Sequence, residues 1–244
     1  MELLSPARYT FPQRLHDYRM IVSGNSQITL DQFNFTTRYD LIYSEEGIVF
    51  SKQADGSTIG TLDPIPKPPP QEWQNIILKY QTMINICANT GEIVNRTLVE
   101  LLDKAMNAKY IPAGVRPYEL TKGTSTATMD FMSLRDEFSE FLKTDFIRSQ
   151  SRFDSKSKRK SITSPFNQFV LDRNLYTHGR LHLEVPALRA LMQSRDNRTR
   201  QLFYAEINPQ ILQSFSQFGT DLLAIFQLIE DLYPYQVTIT RPAS

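Results

Sequence analysis

Cysteine is nearly absent from this chain. Cys87 is the single one in 244 residues, so no internal disulfide framework can form. It falls on an apolar helix face and reads as a small buried hydrophobe rather than a reactive thiol. Histidine is scarce as well. Three histidines and one cysteine are too few to assemble a structural zinc site, and no metal or cofactor is expected. Nine glycines are thinly spread and make no phosphate-cradling loop. The formal net charge of +1 gives no global pull toward nucleic acid, so any basic site has to be local. No run of about 18 apolar residues occurs, which argues against a membrane-spanning helix. The segment Met1-Glu2-Leu3-Leu4-Ser5-Pro6 lacks the basic and apolar stretches of a secretory signal, so a cytoplasmic location is expected. No internal repeat is visible.

What is present is ordinary in bulk. A hydrophobic fraction of 41% and a charged fraction of 22% suit one good core, or one core with a small appendage. Residues 1–63 have strand character. Ile28 and Leu30 alternate with polar neighbours, and Tyr39–Tyr43 and Ile48–Phe50 flank Ser44-Glu45-Glu46-Gly47 as a hairpin would. Asp55-Gly56 marks another turn. The proline-rich run Asp63-Pro64-Ile65-Pro66-Lys67-Pro68-Pro69-Pro70 is a stiff connector and the best boundary in the sequence.

Beyond it, helical periodicity takes over. Trp73, Ile76, Ile77, Tyr80, Met83, Ile84 and Cys87 form one stripe, and Asn89-Thr90-Gly91 is expected to break that helix. Ile93 to Met106 then reads as a second helix and Ile111 to Thr128 as a loop. Phe131 to Leu142 reads as a third helix, with Arg135, Asp136, Glu137 and Glu140 on a solvated face. Residues 148–160 are basic and poor in apolar side chains, which predicts a mobile loop. Ser164-Pro165 suits the start of a fourth helix, serine capping and proline in the first turn. After His178-Gly179, Leu181, Leu183 and Val185 alternate with Arg180, His182 and Glu184, as in a strand. Leu188 to Met192 is compatible with strand or helix, Asp196-Asn197 with a turn, and Leu202 to Ile207 with a second strand. Asn208-Pro209 opens a last helix, which Gly219 interrupts and Pro234 ends.

The chemistry-bearing stretch is Arg173-Asn174-Leu175-Tyr176-Thr177-His178-Gly179. With Phe166 at zero on a helical wheel, Arg173 falls near about 340°, within the stripe of Phe166, Phe169, Val170 and Thr177. An arginine there is costly unless its charge is used or its head reaches water. His178 falls near about 120°, so the two side chains converge only if the last turn loosens, with Gly179 in left-handed geometry. The helix C-terminus favours the imidazolium form, whereas Arg173 favours neutral imidazole. Plainer roles exist for both residues. Arg173 can pair with Asp172 or Glu184, and His178 can cap a terminal carbonyl. Tyr176 suits packing better than catalysis, and Arg180 and His182 suit a solvated face better than a site. Arg195, Arg198 and Arg200 form a second cationic cluster around a turn.

An arginine followed by a polar residue, then a histidine after four intervening positions and a glycine, resembles the HEPN superfamily signature. The periodicities make the chain mainly α, with a small β-containing N-terminal segment, residues 1–63, and a short β insert, and the proline-rich run sets the boundary before residues 64–244. The resemblance implies that residues 64–244 are a HEPN-like helical bundle, to which the β parts are additions. It further implies a metal-independent endoribonuclease acting as a homodimer, with the two motifs facing each other. Arg173 would bind the scissile phosphate, His178 would transfer protons, and Asn174 would hold the pair. The products would be a 2′,3′-cyclic phosphate and a 5′-hydroxyl. Lys156, Lys158, Arg159, Lys160 and Arg180 would grip RNA phosphates. A toxin or antiviral defence effector held by an inhibitory or antitoxin partner is the role such proteins have. The alternative is a non-catalytic helical dimerisation or interaction module, with the motif as structure.

Overall fold

The structure, a computed structural model, describes residues 9–15, 20–30, 35–44, 49–52, 54, 58–61, 70–107, 117–122, 125–185, 187–196 and 199–232. Along the chain these form β1 (Gln13–Leu15), β2 (Met20–Leu30), β3 (Phe35–Ser44), β4 (Val49–Lys52), β5 (Thr58–Thr61) and α1 (Gln71–Met106). A 3-10 turn (Thr126–Thr128), α2 (Phe131–Phe141), α3 (Asp145–Ser149) and α4 (Lys156–His178) follow. The chain continues through β6 (Arg180–Val185), β7 (Arg189–Arg195), β8 (Leu202–Ile207) and α5 (Pro209–Leu232).

The strands overturn the expected fold class. Six of them form one mixed sheet in the order β1-β8-β7-β6-β3-β2, and β4-β5 form a separate antiparallel pair. All neighbours in the large sheet are antiparallel except β3 and β6, where Asp40 to Tyr43 run beside His182 to Val185. The protein is therefore an α+β fold with a six-stranded sheet, not a mainly α, HEPN-like bundle with small β additions. The reason is long-range pairing. β1 and β3, from residues 1–63, are completed only by β8 and β6. The residue-63 boundary thus does not divide the sheet. The hairpins differ from expectation too: β3 pairs with β2, and β4 pairs with β5, while Asp55-Gly56, expected as a turn, lies outside the described residues.

Helix limits also depart from the local signals. α1 runs unbroken for 36 residues through Asn89-Thr90-Gly91. A helical glycine costs about 1 kcal/mol relative to alanine. Burial of Ile77, Ile84, Cys87, Val94, Leu98, Leu101 and Leu102 on either side of Gly91 outweighs that. α4 begins at Lys156, not at Ser164, and carries Pro165 inside it. The real cap is Ser155, whose Oγ accepts from Lys158 N at 3.2 Å. Residues 148–160 are thus the end of α3, a turn holding the fully buried Phe153, and the first turn of α4, rather than a mobile loop. α5 passes through Gly219 without interruption; Pro234 lies outside the described residues. Its cap is as expected, with Asn208 Oδ1 accepting from Ile211 N at 2.9 Å.

The chain forms two compact units. The first takes Tyr9 with residues 89–171 and 214–232. Its core is aromatic: Phe169 stacks on Phe215 at 4.2 Å, Phe138 meets Phe226 edge-on at 5.2 Å, and Tyr9 stacks on Phe218 at 4.9 Å. Such pairs contribute about 1 kcal/mol each beyond their buried area. The second takes residues 10–88 and 172–213, and so contains the sheet. On one face of that sheet Ile42, Leu191 and Tyr204 cluster, with Leu15 packed against them. Cys87 Sγ donates to Leu212 O at 3.3 Å, which joins α1 to the start of α5 within this unit. Cys87 is buried, as the sequence suggests.

Candidate functional site

The motif closes α4. Asp172, Leu175 and Tyr176 are buried, Arg173 and Asn174 are half-buried, and Thr177 and His178 are exposed. The buried face of α4 has swung by about 110° from Ile162, Phe166, Phe169 and Val170, which takes Arg173 off its centre. Arg173 Nη1 donates to Asn174 Oδ1 at 3.0 Å. Burial lowers the Arg173 pKa from the usual arginine value, though a guanidinium still stays charged. Asp172 is 1% exposed. Tyr176 is packed, as expected: burial first, then the Asp172 and Cys87 charges, push its hydroxyl well above the ordinary value.

The last turn does not loosen. α4 is helical through His178, and Gly179 N donates to Leu175 O at 2.8 Å, continuing the helical spacing. Five residues of regular helix leave Arg173 and His178 about 140° apart. Gly179 is not left-handed either. It is required by close approach: a Cβ there would sit 2.3 Å from Leu175 O and 2.7 Å from Met192 Cε. The chain turns from α4 straight into β6 where no side chain fits. One copy of the chain therefore presents Arg173 with Asn174 as a pinned pair, and His178 separately.

The basic residues sit at the other end of α4. Lys158 Nζ binds Asp154 Oδ1 at 2.9 Å and Ser151 O at 2.6 Å, and Arg159 Nη1 donates to Phe153 O at 2.6 Å. These two cations hold the turn that precedes the helix. The Lys158 hydrogen bond, chiefly, keeps the Asp154 carboxyl below its ordinary value. Lys156 and Lys160, four residues apart, are exposed on the same side. Arg180 is exposed at the start of β6. Its neighbour on that face departs from expectation. His182 is 1% exposed and therefore not on a solvated face; its ring meets Tyr204 edge-on at 5.9 Å.

Two charged arrangements escaped the sequence reading. Glu184, 1% exposed, accepts from Arg189 Nε at 2.6 Å and Nη2 at 3.1 Å, and Arg189 Nη1 lies 3.7 Å from Glu206 Oε2. The signal was available: opposite charges on either side of Pro186-Ala187-Leu188 face each other if those residues form a turn. Ala187 and Leu188 do form a turn, and Leu188 takes a positive φ of 54°. Glu137, expected on a solvated face, is fully buried. It accepts from Tyr118 Oη (2.6 Å), Thr121 N (2.9 Å), Thr121 Oγ1 (2.7 Å) and Lys122 N (2.7 Å). Nothing in the period of α2 marks it, because the donors come from an irregular segment. Among the described residues, no three His, Cys, Asp or Glu side chains gather at one point, and no helix is long and apolar enough to cross a membrane. Compared with known proteins, the chain matches no family model, no curated protein and no solved structure.

Proposed function

We propose that the protein is a metal-independent endoribonuclease whose site is shared between two copies of the chain. The likeness to HEPN proteins is confined to residues 173–179 and does not extend to the fold. The observation that carries the reading is the Arg173–Asn174 pair at the end of α4. A guanidinium held half out of water by a neighbouring amide is prepared to bind a phosphate, because its attraction for an anion is screened less than at a fully exposed position. His178, exposed on the last residue of α4, can exchange a proton with an incoming substrate. Because a regular helix separates the two by about 140°, Arg173 of one copy works with His178 of the other.

In the reaction the RNA 2′-oxygen attacks the adjacent phosphorus and the bond to the 5′-oxygen breaks. His178 takes the 2′-hydroxyl proton and returns one to the departing 5′-oxygen, while Arg173 balances charge on the phosphoryl oxygens. The ends left are a 2′,3′-cyclic phosphate and a 5′-hydroxyl. Lys156 and Lys160 supply phosphate contacts that weaken with salt. A toxin or defence role, under an inhibitory protein partner, is what the motif's likeness adds.

The test is cleavage of a labelled single-stranded RNA pool in EDTA. Arg173→Ala and His178→Ala should each lower the rate by at least about 100-fold while the circular dichroism spectrum is kept. Full activity in the His178 variant would end the proposal. The angular separation within one chain also favours a second reading, a non-catalytic interaction module. On that reading no cleavage is seen, and Arg173→Ala instead destabilises by about 2 kcal/mol through loss of a half-buried polar pair.

A further inference from the structure

The end of the sheet beside the motif is strongly basic. Arg180 opens β6 and pairs with Gln193 of β7, and Arg195 closes β7 and pairs with Leu202 of β8. Cross-strand partners share a face, as do residues two apart, so Arg180, Gln193, Arg195 and Leu202 lie on one face of the sheet. Arg180, Arg195, Arg200 and Leu202 are all exposed. The turn from Asp196 to Gln201 closes on itself, with Asp196 N donating to Gln201 O and Arg200 N to Asp196 O, each at 2.9 Å. Arg195 Nη1 donates to Arg200 O at 3.4 Å, and Arg200 takes a left-handed φ of 60°. An arginine seldom adopts that conformation, and such strain gathers at functional sites.

The nearby carboxylates leave this charge standing. Asp196 Oδ1 accepts from Thr199 N at 2.8 Å and Thr199 Oγ1 at 3.2 Å, and Oδ2 lies 4.0 Å from Arg14 Nη1. Arg14, level with Ala205, stands on the opposite face, its guanidinium over the Phe203 ring at 4.7 Å. On the Arg195 face, Glu184 and Glu206 lie four residues along their strands from Arg180 and Leu202, about 13 Å away, and Arg189 engages both. Asp40 pairs with His182 in the register, two strands from β7. Among the described residues, Arg195 and Arg200 make no ion pair. The motif ends here too. Gly179, next to His178, packs on Gln193 O, where an added Cβ would sit 3.2 Å away, and Arg195 lies about 7 Å further along β7.

We infer that Arg195 and Arg200 form a phosphate-binding surface for single-stranded nucleic acid beside His178. A guanidinium fork donates to phosphate oxygens in pairs. Leu202, 42% exposed and directly across from Arg195, gives a base an apolar surface next to its phosphate. One apolar side chain among cations suits a nucleic acid better than a membrane, which takes a whole apolar face. The surface is argued from the sheet alone. Its link to cleavage rests on the nuclease reading above, for which it names the path of the substrate: RNA cut at His178 runs on over the β7–β8 turn.

The experiment is fluorescence anisotropy of the full chain with a labelled single-stranded DNA, which has no 2′-hydroxyl to attack, and with an RNA of the same sequence. Wild type should bind both, more weakly as salt rises. Arg195→Ala with Arg200→Ala should weaken binding at least about 10-fold at about 0.1 M salt and make the log–log salt slope shallower by about 1.4, for two lost contacts. Its circular dichroism spectrum should be unchanged. Arg195→Lys with Arg200→Lys should keep most of the affinity, because phosphate accepts either cation. Lys79→Ala with Arg96→Ala, exposed cations of α1, should change little. Absence of binding by wild type overturns the inference, as does binding to phosphatidylserine vesicles but to no nucleic acid. So does an alanine variant with unchanged affinity, a lysine variant that loses as much as the alanine one, or an equal loss from the α1 pair. Binding that follows these expectations without any RNA cleavage keeps the surface and ends the nuclease reading, while full-rate cleavage by the alanine variant does the reverse.

Discussion

Glu137 shows how a single carboxylate fastens an irregular segment. Burial pushes its pKa up, but hydrogen bonds from Tyr118, Thr121 and Lys122 together overcome this and hold it below the ordinary glutamate value. Tyr118 is driven the other way, by burial and then by Glu137, and stays protonated as the donor. Glu137→Ala leaves several donors without an acceptor and should cost about 3 kcal/mol, read from the urea midpoint. The pH dependence has a definite sign. A group whose folded pKa is depressed contributes stability above its unfolded pKa and loses it as pH falls through the folded value. Wild type should therefore lose stability below about pH 4.5, and Glu137→Gln should flatten that part of the curve. The Glu184–Arg189 pair makes a second prediction. Arg189→Ala strands a carboxylate that is 1% exposed and should cost about 3 kcal/mol. Glu184→Leu with Arg189→Met should cost less than that single change, because it leaves no buried charge behind.

Two glycines set how closely elements approach. At Gly179 an added Cβ meets the Leu175 carbonyl, which is backbone and cannot step aside. Gly179→Ala should cost about 2 kcal/mol in a urea melt, by forcing the α4–β6 junction to shift. If this junction positions the motif, the same variant should also lose RNA cleavage with Arg173 and His178 intact. At Gly219 the Cβ would lie 2.4 Å from Thr90 Cγ2, so α5 crosses α1 on a glycine. Thr90 is β-branched and stiff, and Gly219→Val should destabilise by a similar amount, about 2 kcal/mol. Elements whose stripe is decided by their own residues were readable in the sequence. α2 and α5 show buried phenylalanines at helical spacing, and Asn208-Pro209 announces the start of α5. The continuity of α1 was not readable, because Gly91 is a local signal and the burial that overrides it is tertiary. The start of α4 was masked in the same way: its first turn is polar, and Ser164-Pro165 imitates a cap while Pro165 sits within the helix.

For the whole molecule, the sheet decides what can be removed. A chain beginning at residue 64 lacks β1 and β3, so β8 and β6 each lose a hydrogen-bonded neighbour. Such a chain should show no cooperative urea transition for the sheet-bearing unit, a result that a detachable appendage would contradict. The sequence displayed β6, β8 and the strand character of residues 1–63, but not that these belong together. Pairing partners far apart in sequence leave no local mark, and the helical run between them suggested a bundle. The candidate site was legible as residue types, Arg173, Asn174 and His178, and illegible as geometry, since whether the last helical turn opens depends on the contacts of Gly179 with β7. The parallel contact of β3 with β6 has a kinetic side. While the protein is being made on a ribosome, the first strands emerge long before residues 180–185 exist, and their open edges must wait for most of translation. A nascent chain of this kind offers a chaperone its binding window early, and slowing synthesis downstream of β3 should lengthen that exposure rather than help the strand fold.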